Sequence, residues 1–208
     1  KPLGCYGDGG AVFSNDSDLA EKMQQIRVHG QASKHFHPIL GINGRMDTIQ
    51  AAILMPKLAI FDQEIEKRQK VAARYSEAIH AHADQIVTPF VADGNTSVWA
   101  QYTILSDNRD SLNQALGEAG IPSVSYYATP LHLQPVFANL GHVKGDFPVT
   151  ERVADQCLSL PMNPYLSEGD IDTVCRAFSE CEGMYAAGFF HCVCWQTSPN
   201  MPPTEPIR

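Results

Sequence analysis

Near its start, the chain has an apolar run and then a polar run, a pattern that predicts one strand followed by one helix. The apolar run GGAVFS (residues 9–14) is typical of a short buried strand. The polar residues NDSD follow it, and either Asp16 or Ser17 is suited to cap a helix with the sequence LAEKMQQIRVHG. That helix is predicted to end at Gly30, because glycine readily adopts the backbone conformation that terminates helices.

The next stretch, QASKHFHPILGING (residues 31–44), has no periodicity and is rich in histidine, glycine and proline. It predicts a long surface loop of the kind that often carries function. Residues 45–83 then predict a long helix, with Asp47 and Gln50 at capping-box spacing. Pro56 should kink or divide this helix. Its apolar face is predicted to include Ile49, Ile53 and Ile60.

Polarity rises along the long helix after Phe61, where DQEIEKRQK is predicted to be exposed. We therefore predict that the helix leaves one core and enters another, with domains at residues 1–62 and 63–180. The second domain has an α+β pattern. Its predicted strands are SVWAQYTIL and IPSVSYY, and its predicted helices are NRDSLNQALGEAG, TERVADQCLSL and SEGDIDTVCRAFSEC.

The last stretch, residues 181–208, has neither helical nor strand periodicity and ends in a proline-rich segment. It predicts an irregular tail. His191, Cys192 and Cys194 form an H-C-x-C cluster that could bind a soft metal. A zinc site normally needs a second, separated pair of ligands, so we predict no metal site and expect most of the six cysteines to be reduced and buried.

Composition excludes several classes of protein. The 208 residues carry a formal net charge of −8, which argues against nucleic-acid or anionic-membrane partners, because these need a basic face. No apolar run approaches the roughly 20 residues of a membrane span, and the chain does not begin like a signal peptide. A cytoplasmic location is therefore expected.

The opening residues KPLGCYGDGG allow two interpretations. Lys1 precedes a proline, which restrains its backbone, and the glycines at positions 4, 7, 9 and 10 permit close backbone approach to a bulky group such as a cofactor. Taken alone, however, the same residues also suit a frayed lysine followed by an ordinary turn.

Several longer motifs occur in a fixed order along the chain. They are KPLGCYGDGGAVFSND, GINGRMDTIQAAIL with KLAIFDQEI after it, SVWAQYTI, YYATPLHLQPVF and LSLPMNPYLS. Together they resemble the DegT/StrS family of pyridoxal-phosphate-dependent nucleotide-sugar aminotransferases, over residues 1 to about 180. The branch that resembles this chain most aminates UDP-2-acetamido-2-deoxy-3-oxo-glucuronate, a precursor of bacterial surface polysaccharides.

The resemblance implies an α/β fold of type I, similar to aspartate aminotransferase. Residues 1–62 would be the C-terminal part of the large, cofactor-binding domain, and residues 63–180 the small α+β domain. The implied reaction moves an amino group from glutamate to the keto sugar through pyridoxal phosphate. The implied assembly is a homodimer whose active sites are shared across the interface.

The resemblance also assigns roles to residues of the first domain. Lys1 would be the catalytic lysine that bonds covalently to the cofactor, a role for which a reversible amine is suited. Asn43 would reach the cofactor phosphate of the neighbouring subunit, although a loop asparagine between two glycines is a plausible structural alternative. Arg45 would bind the uronate carboxylate or the diphosphate, with a surface ion pair as its alternative. His29 would face the substrate, or else interact with the helix dipole.

In the second domain, Tyr165 resembles a substrate-contacting tyrosine. Asn163 stands where the family commonly has histidine, which would weaken an ionic contact with the diphosphate. In the family, the acid that protonates the pyridine, the group on the ring face and the phosphate-binding helix precede the lysine. This chain is therefore expected to be incomplete and inactive alone. A non-catalytic relative that acts as a dimerising or regulatory module is the alternative function.

Overall fold

The computed structural model describes residues 1–82 and 85–186. Its elements, in chain order, are α1 (Ser17–Arg27), α2 (Thr48–Ala59), α3 (Phe61–His82), β1 (Ile86–Val87), β2 (Tyr102–Ser106), α4 (Arg109–Glu118), two 3₁₀ helices (Leu131–Leu133 and Pro135–Leu140), α5 (Pro148–Gln156), β3 (Cys157–Leu160) and α6 (Glu168–Ala186).

The chain divides into two compact units, Lys1–Gln63 and Glu64–Arg208. The predicted boundary after residue 62 lies beside this division. The assignment of the two stretches to a large and a small domain stays a prediction.

In the first unit, helix α1 begins where the capping pattern predicts. The side chain of Asp16 accepts hydrogen bonds from the backbone N–H groups of Asp18 and Leu19, at 3.0 Å each. Asp16, and not Ser17, is therefore the N-cap. The helix ends at Arg27, and Gly30 follows with a φ of 71°.

The predicted strand at residues 9–14 is wrong. These residues are irregular and exposed, and the side chain of Phe13 is 90% accessible to solvent. A strand forms only when a neighbour pairs with its backbone groups, and residues 9–14 pair with no strand in the part of the chain that the structure describes. Apolar sequence alone was therefore not sufficient.

The predicted long helix is two helices. Pro56 lies inside α2, and the break comes at Ile60, between α2 and α3. The capping box is wrong: Asp47 precedes α2 but makes no side-chain capping hydrogen bond. Gln50 instead contacts the backbone of Tyr6, whose N–H donates to Oε1 at 2.9 Å. The predicted apolar face is not a core face, because α2 buries none of its residues.

The second unit is built on an antiparallel sheet in the order β1-β2-β3. Tyr102 pairs with Leu160, and Ile104 pairs with Leu158. Residues alternate along β2, so that Tyr102, Ile104 and Ser106 face the core. Helices α3, α4 and α6 complete this core with Val71, Tyr75, Ile79, Leu112, Leu116, Ile171, Val174 and Phe178.

Three of the predictions for this unit are wrong in part. The strand predicted for SVWAQYTIL begins only at Tyr102, and the residues before it are not in a strand. Residues 121–127 form a single bridge, Val124 with Ser159, and not a strand. Ser123 and Ser125 instead bond to side chains of α4, Asn113 and Arg109. The predicted helix at residues 150–160 ends at Gln156, and the remaining residues form β3. All four residues of β3 are buried, so the run CLSL lacks the alternation that identifies a half-exposed strand.

The last helix, α6, extends to Ala186, so the first residues of the predicted irregular tail are helical. Residues 187–208 and the cluster of His191, Cys192 and Cys194 lie outside the described residues. Cys5, Cys157 and Cys175 have free thiols, although only Cys157 is buried. No helix within the described ranges is both long and apolar enough to cross a bilayer.

The core of the second unit gives a direct test of this packing. Ile104 is fully buried, so Ile104→Ala should lower the free energy of unfolding by about 2–5 kcal/mol, through lost apolar contact and the cavity it leaves. Val87 on the neighbouring strand is 60% exposed, and Val87→Ala should change that free energy by less than about 0.5 kcal/mol. Urea unfolding followed by circular dichroism measures both. Equal losses would contradict the assigned register.

Candidate functional site

The end of α1 and the loop after it are joined by backbone hydrogen bonds in the first unit. The N–H of Ile42 donates to the carbonyl of Ile26 at 2.8 Å, and the N–H of His29 donates to the carbonyl of Ile42 at 2.9 Å. The N–H of Gly44 donates to the carbonyl of Arg27 at 2.8 Å. This ladder brings together three of the predicted site residues, His29, Asn43 and Arg45.

Two glycines make this approach possible. A Cβ on Gly30 would lie 1.8 Å from the carbonyl oxygen of Ile39, and one on Gly41 would lie 1.9 Å from the nitrogen of Gly30. Real Cβ atoms do not come this close to backbone atoms, and Gly30 also has a φ of 71° that other residues rarely adopt. The glycines of V-H-G and G-I-N-G therefore fix the geometry of this segment.

Arg45 and His29 form a side-chain pair within this segment. Nη1 of Arg45 lies 2.8 Å from Nε2 of His29. Because arginine only donates, Nε2 of His29 is the acceptor and its ring carries the proton on Nδ1. Arg45 is exposed and makes no ion pair with any residue that the structure describes, so the surface ion-pair alternative is not supported. The rest of its guanidinium remains available to an anion.

His29 makes contacts in addition to any interaction with the helix dipole. It lies beyond the end of α1, with a φ of 65°, and its ring is held by Arg45. Its carbonyl accepts a hydrogen bond from Nδ1 of His37, at 3.1 Å. The backbone and the ring of His29 are thus both fixed, and the ring in turn orients the guanidinium.

Lys1 and Asn43 have side chains that are exposed and without a hydrogen-bond partner among the described residues. The segment after Lys1 is held by α2: the backbone of Tyr6 bonds to Gln50, and Nζ of Lys57 lies 5.6 Å from the centre of the Tyr6 ring. Gln50 is thus an anchor that the capping-box interpretation missed.

Tyr165 lies in the second unit, in the segment PMNPY after β3. This residue is 64% exposed, and its hydroxyl donates to Oε1 of Glu64 at 2.5 Å. This hydrogen bond raises the pKa of the Tyr165 phenol, because the carboxylate favours the protonated form. Asn163, the departure from the family pattern, accepts the backbone N–H of Tyr165 at 2.8 Å through Oδ1.

The same segment is attached to α3 by partly buried hydrogen bonds. Arg68 is only 8% exposed and donates to the carbonyls of Trp99, at 3.0 Å, and Met162, at 3.4 Å. The Tyr75 hydroxyl donates to the carbonyl of Pro161 at 3.0 Å. Burial lowers the pKa of Arg68, and the nearby charge of Glu64 offsets part of this effect. The exposed face predicted for DQEIEKRQK is therefore wrong at Arg68.

Glu64, Lys67 and Arg68 are contacts of Tyr165 or of its segment that the sequence interpretation missed. Their spacing of i, i+3 and i+4 places them on one side of α3, which is the signal that could have identified them. Nζ of Lys67 lies 5.2 Å from the centre of the Tyr165 ring. No group of three or more His, Cys, Asp or Glu side chains within the described ranges is placed to hold a metal ion.

Comparison with known proteins gives similar sequences of greater length. An aminotransferase of Pseudomonas aeruginosa, named UDP-2-acetamido-2-deoxy-3-oxo-D-glucuronate aminotransferase, is 48% identical over 179 residues, which cover 86% of this chain and 48% of the relative. A pleiotropic regulatory protein of Geobacillus stearothermophilus is 47% identical over 181 residues, covering 86% of this chain and 49% of the relative. The chain thus spans about half the length of these relatives.

A solved structure has the same fold. The crystal structure of a DegT DnrJ EryC1 StrS aminotransferase from Brucella abortus superposes with a TM-score of 0.81 at 46% identity, covering 88% of this chain and 48% of that one. The predicted α/β fold of type I is therefore confirmed. The sequence model of the DegT/DnrJ/EryC1/StrS aminotransferase family matches residues 1–179. The chain belongs to this family.

Proposed function

We propose that this chain is the C-terminal part of a pyridoxal-phosphate-dependent aminotransferase. The enzyme moves an amino group from glutamate to a keto nucleotide-sugar, a UDP-linked 3-keto uronic acid, for bacterial surface polysaccharide synthesis. The observation that carries this proposal is the 48% identity with the Pseudomonas aeruginosa aminotransferase, over a stretch of 179 residues. The name of that relative specifies the keto sugar.

The available side chains fit two groups of pyridoxal phosphate. Lys1 offers a primary amine for the aldehyde, and Asn43 offers an amide N–H for the phosphate; neither side chain has a competing partner among the described residues. The bound cofactor supplies the electron sink that makes the donor's α-proton acidic. Nζ of Lys1, as a free amine, takes that proton from the α-carbon and returns a proton to the sugar carbon that receives nitrogen.

The paired side chains of the first unit suit an anionic part of the substrate. Arg45 presents a planar guanidinium that can form two parallel hydrogen bonds with the uronate carboxylate or with a phosphate. His29 accepts one of its N–H groups and so limits the directions in which the others point. In the second unit, Tyr165 and Asn163 offer uncharged hydrogen-bonding groups that suit a sugar.

We propose a cytoplasmic homodimer in which Asn43 and Arg45 of one subunit complete the active site of its partner. The exposed position of both side chains supports this arrangement, because a residue that serves a neighbouring subunit must be accessible from its own. The acidic composition, with a formal net charge of −8, is consistent with a small-molecule substrate in place of a nucleic acid.

A second function, a non-catalytic dimerising or regulatory module, has one observation in its favour. The relative from Geobacillus stearothermophilus is named a pleiotropic regulatory protein and is 47% identical over 181 residues. In such a protein the loop around Asn43 would form an interface without holding cofactor. The two functions differ in whether Lys1 reacts with pyridoxal phosphate.

The reaction of Lys1 distinguishes these functions. Borohydride reduction with pyridoxal phosphate should label Nζ of Lys1 in an extended protein, in which this chain follows the N-terminal half of the Pseudomonas aeruginosa relative. Fragmentation mass spectrometry separates this label from one on another amine, and Lys1→Arg, which keeps the charge, should abolish it. Labelling spread evenly over Lys1, Lys34 and Lys57 would contradict the aminotransferase and favour the regulatory module.

The anion-binding role of Arg45 predicts a selective kinetic effect. In the extended protein, Arg45→Lys should raise KM for the nucleotide-sugar about 10- to 100-fold, because lysine keeps the charge but loses the two-pronged geometry. KM for glutamate should change much less. Arg27→Lys is the matched control, because Arg27 is exposed and contacts this segment through its backbone carbonyl, which accepts the N–H of Gly44. Equal changes in both KM values would argue against a substrate role for Arg45.

A further inference from the structure

The hydroxyl proton of Tyr165 is used in a hydrogen bond to Glu64. The phenol oxygen lies 2.5 Å from Oε1 of Glu64, and an ionised carboxylate can only accept a hydrogen bond. The O–H of Tyr165 therefore points at Glu64. What remains on the phenol oxygen is acceptor capacity, so a ligand that touches this oxygen must bring a donor.

The pair is held in place from both sides. Arg68 of α3 binds the carbonyl of Met162, three residues before Tyr165, and Nζ of Lys67 lies 5.2 Å from the ring centre. Asn163 binds the backbone N–H of Tyr165 through Oδ1. Tyr165 is nevertheless 64% exposed, so its side chain is held in direction yet open to a ligand.

The charge of Glu64 also favours ligands that bring a hydrogen-bond donor to the phenol oxygen. Its carboxylate lies against the phenol oxygen, and a phosphate or carboxylate approaching that oxygen would meet a negative charge and find no donor. The same contact raises the pKa of the Tyr165 phenol, so the hydroxyl retains the proton that it donates to Glu64.

The Asn163 side chain offers a hydrogen-bond donor beside the acceptor of Tyr165. Oδ1 of Asn163 is occupied by the N–H of Tyr165, while its amide nitrogen has no hydrogen bond to the described part of the chain. Tyr165 and Asn163 together thus offer one acceptor and one donor. A sugar hydroxyl, which donates one hydrogen bond and accepts others, satisfies this combination.

We propose that Glu64 determines substrate specificity by positioning Tyr165 as a hydrogen-bond acceptor. Tyr165 then accepts a hydrogen bond from a hydroxyl or acetamide N–H on the sugar ring and does not bind the diphosphate. This inference rests on the proposed function for its choice of a nucleotide-sugar. The sugar ring is the part of that ligand that must be oriented for nitrogen transfer, and its hydroxyl and acetamide groups are hydrogen-bond donors.

The test compares two probes, UDP and UDP-N-acetylglucosamine, by calorimetric titration of the extended protein. Glu64→Ala and Tyr165→Phe should each weaken binding of UDP-N-acetylglucosamine about 3- to 10-fold, the effect of one hydrogen bond. Binding of UDP should stay within about 2-fold. The double variant should bind no more weakly than Tyr165→Phe, because Glu64 acts through Tyr165.

Glu66→Ala is the matched control, since Glu66 is an exposed glutamate two residues further along α3 and should change neither affinity. Titration of ¹³Cζ-labelled tyrosine by NMR should give a lower pKa for Tyr165 in Glu64→Ala and an unchanged one in Glu66→Ala. This spectroscopic result separates loss of the hydrogen bond from a general loss of structure.

Equal weakening of UDP and UDP-N-acetylglucosamine would overturn the inference, as would additive effects in the double variant. Failure of the proposed function has a different signature. A protein that shows this binding pattern but transfers no amino group would refute the aminotransferase while supporting the acceptor role of Tyr165.

Discussion

Pairing of backbone N–H and C=O groups is the constraint on which both candidate clusters depend. The first cluster is Arg45 with His29, and the second is Tyr165 with Glu64. In the first unit, the bonds from Ile42 to Ile26 and from Gly44 to Arg27 hold the loop against the end of α1. Buried side chains perform the equivalent task in the second unit, where Arg68 donates to two backbone carbonyls. Each arrangement satisfies groups that would be costly to leave unpaired, and each presents exposed polar side chains as a result.

The two clusters differ in charge, so under the proposed function they suit different parts of a nucleotide-sugar. Arg45 offers a guanidinium with its direction limited by His29, which favours a carboxylate or a phosphate. Tyr165 beside Glu64 offers an acceptor in a negative environment, which favours hydroxyl and N–H donors. Under the proposed function, each cluster would bind a different part of the substrate, and Lys1 would supply the reactive amine.

Much of the fold followed from the sequence where local patterns decide the outcome. The Asp16 cap, the loop at residues 31–44 and helix α6 depend on neighbouring residues, and the structure confirms them. The strands predicted at residues 9–14 and 121–127 did not form, because a strand needs pairing partners that sequence spacing does not reveal. Likewise, the motifs predicted Tyr165 as a candidate, but the contacts of Glu64 and Arg68 arise only when α3 packs against the segment after β3.

Transfer of labelled nitrogen tests the central claim most directly. The extended protein, supplied with pyridoxal phosphate, ¹⁵N-glutamate and a UDP-linked 3-keto uronic acid, should produce 2-oxoglutarate and an equal amount of ¹⁵N-labelled amino sugar. Mass spectrometry of the nucleotide-sugar pool measures the label. A protein that binds pyridoxal phosphate at Lys1 but leaves the sugar unlabelled, with this and with other keto nucleotide-sugars, would contradict the assignment as a nucleotide-sugar aminotransferase.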